Sequence, residues 1–283
     1  MILTFTGLLI AAGLNIVTAA PAAAIPGLNN VPAATVADSS TFKSVIATCP
    51  VGQRVIGGGA RLNIATGEVA ITHMAPTTLA NSYEARAYED FDGFAGIWAL
   101  QVIAICANPP PGYAIVTAAS PMASPVTASV TATCPAGLQV LGTGGSVFPG
   151  RGVSLLTAIM PSPAVGPTSV TAMGAETPGF AGTWNVQSWA ICAAPVAGHT
   201  MVVTSGVANS VSPKTQTSGC PAGRPVHGVG FQLAGSGVGE LFLNAAFPNP
   251  PLPVGTNVPV TASEDQGGVV GFWAIRTFAI CVP

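Results

Sequence analysis

The sequence contains very little charge. Its 283 residues include 8 Lys and Arg and 10 Asp and Glu, so charged residues make up 6% of the chain and the net charge is −2. An average soluble domain carries about 25% charged residues. Because so few cations cannot form a phosphate-neutralising stripe, we expect no nucleic-acid partner.

Recognisable catalytic signatures are also absent from the sequence. It has no G-x-S-x-G nucleophile elbow, no H-E-x-x-H zinc motif and no Walker loop. Its histidines, His73, His199 and His227, do not recur at matching positions, and its cysteines are not spaced as in a structural zinc site. We therefore expect a protein that is not an enzyme and that has no obligatory cofactor.

Long apolar runs are confined to the N-terminus. A run from Ile2 to Val17 precedes small residues at Ala22 and Ala24, which is the pattern of a signal peptide covering residues 1–24. An uncleaved anchoring helix is the alternative, but the run is shorter than the ~20 residues that a span requires. We expect a secreted protein whose mature chain has no membrane span.

What the sequence does contain is a threefold internal repeat. Each copy opens with a C-P-x-G phrase and closes with a Trp followed by A-I-C, and a proline recurs between the two phrases. The opening cysteines are Cys49, Cys134 and Cys220, the closing tryptophans are Trp98, Trp184 and Trp273, and the prolines are Pro76, Pro161 and Pro248. Matches in register over three copies do not arise from composition alone.

The six cysteines fall two to a copy, and an even number in an exported chain indicates disulfides. The repeat makes one closure within each copy the natural pairing, namely Cys49–Cys106, Cys134–Cys192 and Cys220–Cys281. On the chain-entropy model each closure stabilises its copy by roughly 4 kcal/mol. Because a further strand precedes each opening phrase, we place the three units at 25–108, 109–194 and 195–283.

The local pattern is that of strands rather than helices. Short segments rich in Val, Ile, Thr and aromatic residues alternate with turns drawn from 34 Gly and 26 Pro. The sequence predicts an all-β fold of three tandem antiparallel sheet repeats, built as small sandwiches or prism-like units. In each closing strand the Trp and Cys share one face, and the opposite face predicts a contact between copies at Ile103, Trp189 and Phe278.

The phrase C-P-x-G-x-x-V-x-G, followed by the Trp and the closing A-I-C, resembles secreted bacterial modules that are common in actinobacteria and occur singly or in tandem. The resemblance covers nearly all of the chain after residue 24. It implies export, a small β-sheet unit and one disulfide per copy, but no activity. The third copy departs from the other two at Pro225 and His227. A threefold repeat is also similar to that of β-prism lectins, which is a likeness of fold only.

One polar position recurs in every copy, because Glu89, Glu176 and Glu264 each precede the closing tryptophan. These carboxylates either order the loop by accepting backbone N–H groups, which we favour, or contact a ligand. In the first copy Glu89, Asp90 and Asp92 are spaced so that they also suit a Ca²⁺ loop.

Four aromatic residues near that loop are either a sugar-stacking platform or, as we favour, anchors of the core and loop: Tyr83, Tyr88, Phe91 and Phe94. The sequence thus predicts a secreted, non-catalytic binding or structural protein of the cell exterior. A carbohydrate-binding lectin and a self-assembling surface protein are the alternatives, and a glycan or another cell-envelope component is the expected partner. The oligomeric state stays open.

Overall fold

A computed structural model describes residues 25–221, 224–249 and 255–282. The predicted signal peptide lies outside the described residues. Within them the one helical element is a short 3₁₀ turn, Val238–Glu240, and no helix has the length and hydropathy needed to span a membrane. The prediction of an all-β fold is confirmed.

Six strands arise from each repeat. The first repeat forms β1 (Asn29–Ala34), β2 (Phe42–Thr48), β3 (Arg54–Leu62), β4 (Val69–Pro76), β5 (Ser82–Glu89) and β6 (Leu100–Ala107). The second forms β7 (Ala114–Ala119), β8 (Thr127–Thr133), β9 (Gln139–Phe148), β10 (Ser154–Ser162), β11 (Ser169–Glu176) and β12 (Asn185–Ala193). The third forms β13 (Thr200–Ser205), β14 (Lys214–Gly219), β15 (Val226–Gly235), β16 (Leu241–Ala246), β17 (Asn257–Glu264) and β18 (Trp273–Cys281).

Each of the three six-stranded antiparallel sheets is shared between two repeats. Their strand orders are β1-β6-β3-β16-β17-β14, β13-β18-β15-β10-β11-β8 and β2-β5-β4-β9-β12-β7. Every repeat therefore contributes one three-stranded half-sheet to each of two sheets, and it shares a sheet with both other repeats. This cyclic arrangement closes the repeats around a pseudo-threefold axis.

The two half-sheets of a repeat face each other as a sandwich. A disulfide joins them in each repeat, with Cα atoms 5.6, 5.8 and 5.8 Å apart for Cys49–Cys106, Cys134–Cys192 and Cys220–Cys281, which confirms the predicted pairing. The closing tryptophans are fully buried between the half-sheets, as expected for side chains that share a face with a half-cystine. One continuous apolar core runs through all three sandwiches.

The seams between repeats contain few strand-pairing contacts. At the seam of β4 and β9, His73 and Met74 pair with Ser146 and Gly145, and each of the other two seams likewise has two residue pairs. Trp189 meets His73 edge-on across this seam, with ring centroids 5.7 Å apart, so the predicted contact between copies is present there. At the other two seams Ile103 and Phe278 line grooves that both adjoining repeats form.

The backbones of neighbouring repeats come closest at the axis, beside the glycine that ends each opening phrase. A β-carbon there would collide with a carbonyl oxygen of the preceding repeat. The distances from such a carbon on Gly57, Gly142 and Gly228 to the oxygens of His227, Ile56 and Leu141 are 1.7, 2.1 and 2.5 Å. The last glycine of each opening phrase is therefore required by the approach of two main chains.

A second glycine follows each of these axial glycines by two residues on the same strand, and it contacts the recurrent proline of the adjoining repeat. A β-carbon on Gly59, Gly144 or Gly230 would lie 2.9, 3.0 or 2.8 Å from the ring of Pro248, Pro76 or Pro161 in the adjoining repeat. The sequence motif thus records contacts between repeats as well as the structure within each one.

We expect Gly142→Ala to lower the free energy of unfolding by more than about 3 kcal/mol. The added β-carbon would push the main chains at Gly142 and Ile56 apart and so separate the paired strands of two repeats. Urea unfolding measures the change. Gly219→Ala on β14 is the control, since a β-carbon there meets no atom within 4 Å. Its expected effect is below about 0.5 kcal/mol. A Gly142→Ala protein as stable as the control would contradict the close packing at the axis.

His73 makes the seam between the first two repeats sensitive to pH. Burial, followed by the charge of Arg86, lowers the pKa of His73 from 6.5 to about 4, although Glu84 opposes this shift. As the pH falls from 6.5 towards 4, the unfolded chain binds a proton that the folded chain resists, so the stability due to the neutral ring is lost.

The other two seams carry alanine, Ala158 and Ala245, where the first carries His73. His73→Ala is therefore a variant that the fold already accommodates. Between pH 7 and pH 5 we expect the wild type to lose about 1–2 kcal/mol of unfolding free energy relative to this variant. Chemical denaturation at several pH values measures the difference, and parallel curves for the two proteins would refute the assignment.

Candidate functional site

The recurrent glutamates sit at the start of three loops that converge at one end of the pseudo-threefold axis. These loops, residues 90–99, 177–184 and 265–272, join the last two strands of each repeat. Glu89 and Glu264 are the final residues of β5 and β17, and Glu176 is the final residue of β11. The structure therefore places the three predicted site residues at equivalent positions.

In the first and third repeats the glutamate holds its loop against the buried tryptophan. The Nε1 of Trp98 donates to Glu89 Oε1 at 2.9 Å, and the backbone N–H of Phe94 donates to Glu89 Oε2 at 3.2 Å. In the third repeat Glu264 accepts from Trp273 Nε1 at 2.6 Å and from the N–H of Val269 at 3.1 Å. These bonds occupy both oxygens of each carboxylate.

In the second repeat the tryptophan has a different hydrogen-bond acceptor. The Nε1 of Trp184 donates to the carbonyl oxygen of Pro125 at 3.0 Å, so it does not bond to Glu176. Glu176 Oε2 is buried without a hydrogen-bond partner. The recurrence of Glu in the sequence thus conceals a difference in bonding between the repeats.

Two lysines that the sequence analysis did not single out lie over the rings of two of these tryptophans. The ammonium groups of Lys43 and Lys214 lie 4.8 and 3.9 Å from the ring centroids of Trp98 and Trp273. Lys43, only 5% exposed, also contacts the carboxylate of Asp38. A lysine recurs at the same distance before the opening cysteine in these two repeats, whereas the second repeat has Ala128 there. This pattern is the signal that would have identified them.

A second ring of close contacts closes this end of the axis. A β-carbon on Gly67, Gly152 or Gly239 would lie 1.9, 2.8 or 2.2 Å from the carbonyl oxygen of Glu264, Glu89 or Glu176 in the preceding repeat. Within each repeat, the residue after this glycine also accepts a backbone hydrogen bond from the residue after that repeat's own glutamate, at 2.9, 3.1 and 2.8 Å. The close contacts join neighbouring repeats, and the hydrogen bonds hold the start of each loop against its own repeat.

That opening is a cleft of about 580 Å³, lined by residues 90–92 of the first repeat, 152–153 and 177–182 of the second, and Gly239, Glu240, Phe242 and Asp265 of the third. Asp90, Thr177 and Asp265 occupy equivalent positions in their repeats and all face it. No histidine, cysteine or lysine is among these lining residues. Its polar character is therefore set mainly by carboxylates.

Burial, together with the crowding of carboxylates, raises the pKa of two acidic groups at this end of the axis. Burial, followed by the charge of Asp92, raises the pKa of Asp90 to about 7. Burial also raises the pKa of Glu68, with smaller contributions from the charges of Asp92, Asp265 and Glu89. Asp90 accepts a 2.9 Å bond from the N–H of Gly93 through Oδ1, whereas its Oδ2 is buried without a partner.

The carboxylates that the structure groups together are not the three that the sequence suggested. Carboxylate oxygens of Glu68, Asp90 and Asp92 lie within 4.8 Å of one another. Asp90 and Asp92 belonged to the predicted Ca²⁺ loop. The carboxylate of Glu89 turns instead towards Trp98, and Glu68 comes from the turn before β4. Asp92 also accepts a hydrogen bond from Gln266 Nε2 of the third repeat.

The four aromatic residues near the loop do not form one platform. Tyr83 is fully buried, and its hydroxyl lies 3.1 and 2.9 Å from the carbonyl oxygens of Met74 and Thr143, which share its one proton. Tyr88 stacks on Phe42 with ring centroids 4.5 Å apart, and Phe94 packs against the core. Phe91, at 93% exposure, is the member that lines the cleft, where the second repeat adds Phe180.

No protein-family model matches the chain, and no curated protein matches it significantly.

Exchanging the carboxylate for an amide separates the roles of the recurrent glutamates. We expect Glu89→Gln to cost about 1–3 kcal/mol of unfolding free energy, because the amide cannot accept both N–H bonds through its two ends. Glu176→Gln is the matched control, since the tryptophan of its repeat bonds elsewhere, and it should cost less than about 0.5 kcal/mol. Thermal unfolding of both variants measures the difference. Equal losses would contradict the assigned bonding.

Proposed function

We propose that the protein is a secreted, non-catalytic binding protein of the cell exterior whose ligand site is the axial cleft. The three disulfides indicate an oxidising compartment, which supports export. The observation that carries the proposal is that loops from all three repeats line one concave opening of about 580 Å³. Small-molecule sites typically have volumes of about 300–1,000 Å³.

The contrast between framework and cleft supports this proposal. The glycines, prolines, tryptophans and cysteines of the framework recur in every repeat. At the equivalent cleft positions the residues differ, with Asp90 and Asp265 opposite Thr177. The framework residues are thus the same in all three repeats, whereas the loop residues around the opening differ. This is the pattern expected of a binding scaffold, because loops make the contacts with a ligand and the rigid strands position them.

The side chains of the cleft favour a ligand that carries a positive charge beside an apolar group. Asp90, Asp92, Glu240 and Asp265 supply negative charge in a recess, where the attraction of a cation is stronger than at an open surface. The ring of Phe91 offers an apolar face next to them, and aromatic faces attract ammonium groups. A lysine side chain or another primary amine combines both features.

The lectin alternative requires a shallow aromatic site in each repeat. Aromatic residues instead reach one shared cleft from non-equivalent positions, Phe91 from the first repeat, Phe180 from the second and Phe242 from the third. This asymmetry favours one ligand per chain over three equivalent sugar sites. The surface-assembly alternative draws on the edge strands, of which β2 exposes Phe42 and Ile46, at 42% and 50%.

The proposal can be tested by isothermal titration calorimetry with a lysine-rich peptide and with the same peptide acetylated at the lysine ε-amines. We expect the free amine form to bind at least about 10-fold more tightly, a difference of about 1.4 kcal/mol. Binding should strengthen from pH 6 to pH 8, because Asp90, with its pKa of about 7, gains its charge over that range. The lysine amine stays protonated throughout, since its pKa is about 10.4.

Asp90→Thr and Asp265→Thr introduce the residue that the second repeat already carries, and each should weaken binding of the peptide. Glu84→Gln removes a carboxylate outside the cleft and serves as the control for net charge. Equal binding of the free and acetylated peptides, or failure of the free peptide to bind, would refute an amine site. Turnover of the bound peptide would contradict the non-catalytic part of the proposal.

A further inference from the structure

Two imidazoles meet at the end of the axis opposite the cleft. The residues before the close-contact glycines there are Ile56, Leu141 and His227, so the third repeat places a fully buried histidine where the other two have aliphatic side chains. The surrounding cluster is otherwise apolar. A polar ring at such a position is costly unless its nitrogen atoms have partners.

The hydrogen bonding of His227 fixes which of its nitrogens is free. Nδ1 lies 2.6 Å from the carbonyl oxygen of Leu141 in the neighbouring repeat, and a carbonyl only accepts, so Nδ1 carries the proton. Nε2 then presents a lone pair, and it is buried without a hydrogen-bond partner. The ring is thus held in one tautomer and one orientation.

His199 is the imidazole next to His227. Its ring centroid is 5.4 Å from that of His227, and both of its ring nitrogens are buried without a hydrogen-bond partner. The equivalent residue of the second repeat is Tyr113, whose hydroxyl donates to the carbonyl oxygen of Val55 at 2.7 Å. The third repeat therefore replaces a satisfied polar group with a pair of imidazoles. Three of their nitrogens lack a hydrogen bond of normal geometry, and the nearest backbone groups are those of Val140 and Cys281.

We propose that His199 and His227 are ligands of a transition-metal ion of the Zn²⁺, Ni²⁺ or Cu²⁺ class. Neutral imidazole nitrogen is the ligand that these ions prefer, with metal–nitrogen distances of about 2.0–2.1 Å. Two imidazoles that share one tetrahedral ion have ring centroids about 5 Å apart on this geometry. The separation of the two ring centroids, 5.4 Å, suits one shared ion.

The bond from His227 to Leu141 fits the same role. Histidines that bind metals commonly donate their other ring N–H to a backbone carbonyl, which fixes the tautomer and increases the basicity of the ligating nitrogen.

A two-histidine site differs from the structural zinc site that the cysteine spacing argues against. That spacing excludes a structural site of the zinc-finger type, whereas the two histidines come from separate segments, the start of β15 and the turn before β13. They also lie at the opposite end of the axis from the carboxylates of Glu68, Asp90 and Asp92. The site is therefore independent of the proposed ligand cleft.

The test is a titration of untagged, full-length mature protein, stripped with chelator, with Ni²⁺ and with Zn²⁺ by isothermal titration calorimetry. Excess Ca²⁺ is present so that carboxylates are not counted as sites. We expect one ion per chain and a rise in the melting temperature with each ion. Electron paramagnetic resonance of the Cu²⁺ form should show coupling to imidazole nitrogen.

The other repeats provide the matched variants. His227→Leu and His199→Tyr install the residues of the second repeat, so both are compatible with the fold, and each should weaken binding at least about 10-fold. His73→Ala removes the third histidine and should leave the affinity unchanged. If the wild type binds no ion, or if binding survives both His199→Tyr and His227→Leu, the assignment is wrong. His199→Tyr, at the half-buried position, keeps the test decisive if His227→Leu fails to fold.

Discussion

Contact between main chains at the pseudo-threefold axis is the constraint on which the rest of the structure depends. Three glycines allow the strands of neighbouring repeats to approach until a single β-carbon would collide with a carbonyl oxygen. That approach brings the half-sheets into register at seams of only two residue pairs. The disulfide of each repeat then joins its two half-sheets, so the ring is tied both within each sandwich and between sandwiches.

The sequence predicted the parts of the fold that are local to one repeat. Strand character, the inward face of Trp98 and Trp184, and the pairing of the cysteines all follow from alternation and from repetition. The sharing of each sheet between repeats could not be predicted in this way. Alternation identifies the buried face of a strand, but it does not identify which strand its edge will meet. Tyr83, whose hydroxyl bonds to the second repeat, belongs to the same non-local class.

The candidate site also has parts that the sequence predicted and parts that it did not. Repetition located Glu89 and Glu264, but it also implied a common role for Glu176, whose repeat bonds its tryptophan differently. The cleft itself had no signature in the sequence. Its lining comes from segments far apart in the chain, and Asp90 acquires its raised pKa only where burial and Asp92 act together.

The sharing of sheets has a consequence for the smallest unit that can fold. One repeat alone would leave the outer edges of β3 and β4 unpaired, each with a row of open backbone groups facing water. Three separate copies could satisfy those edges only through head-to-tail contacts that close after three steps. A single module of this design would then have to assemble as a homotrimer, whereas the tandem chain carries the three copies in one covalent chain and each third can diverge independently.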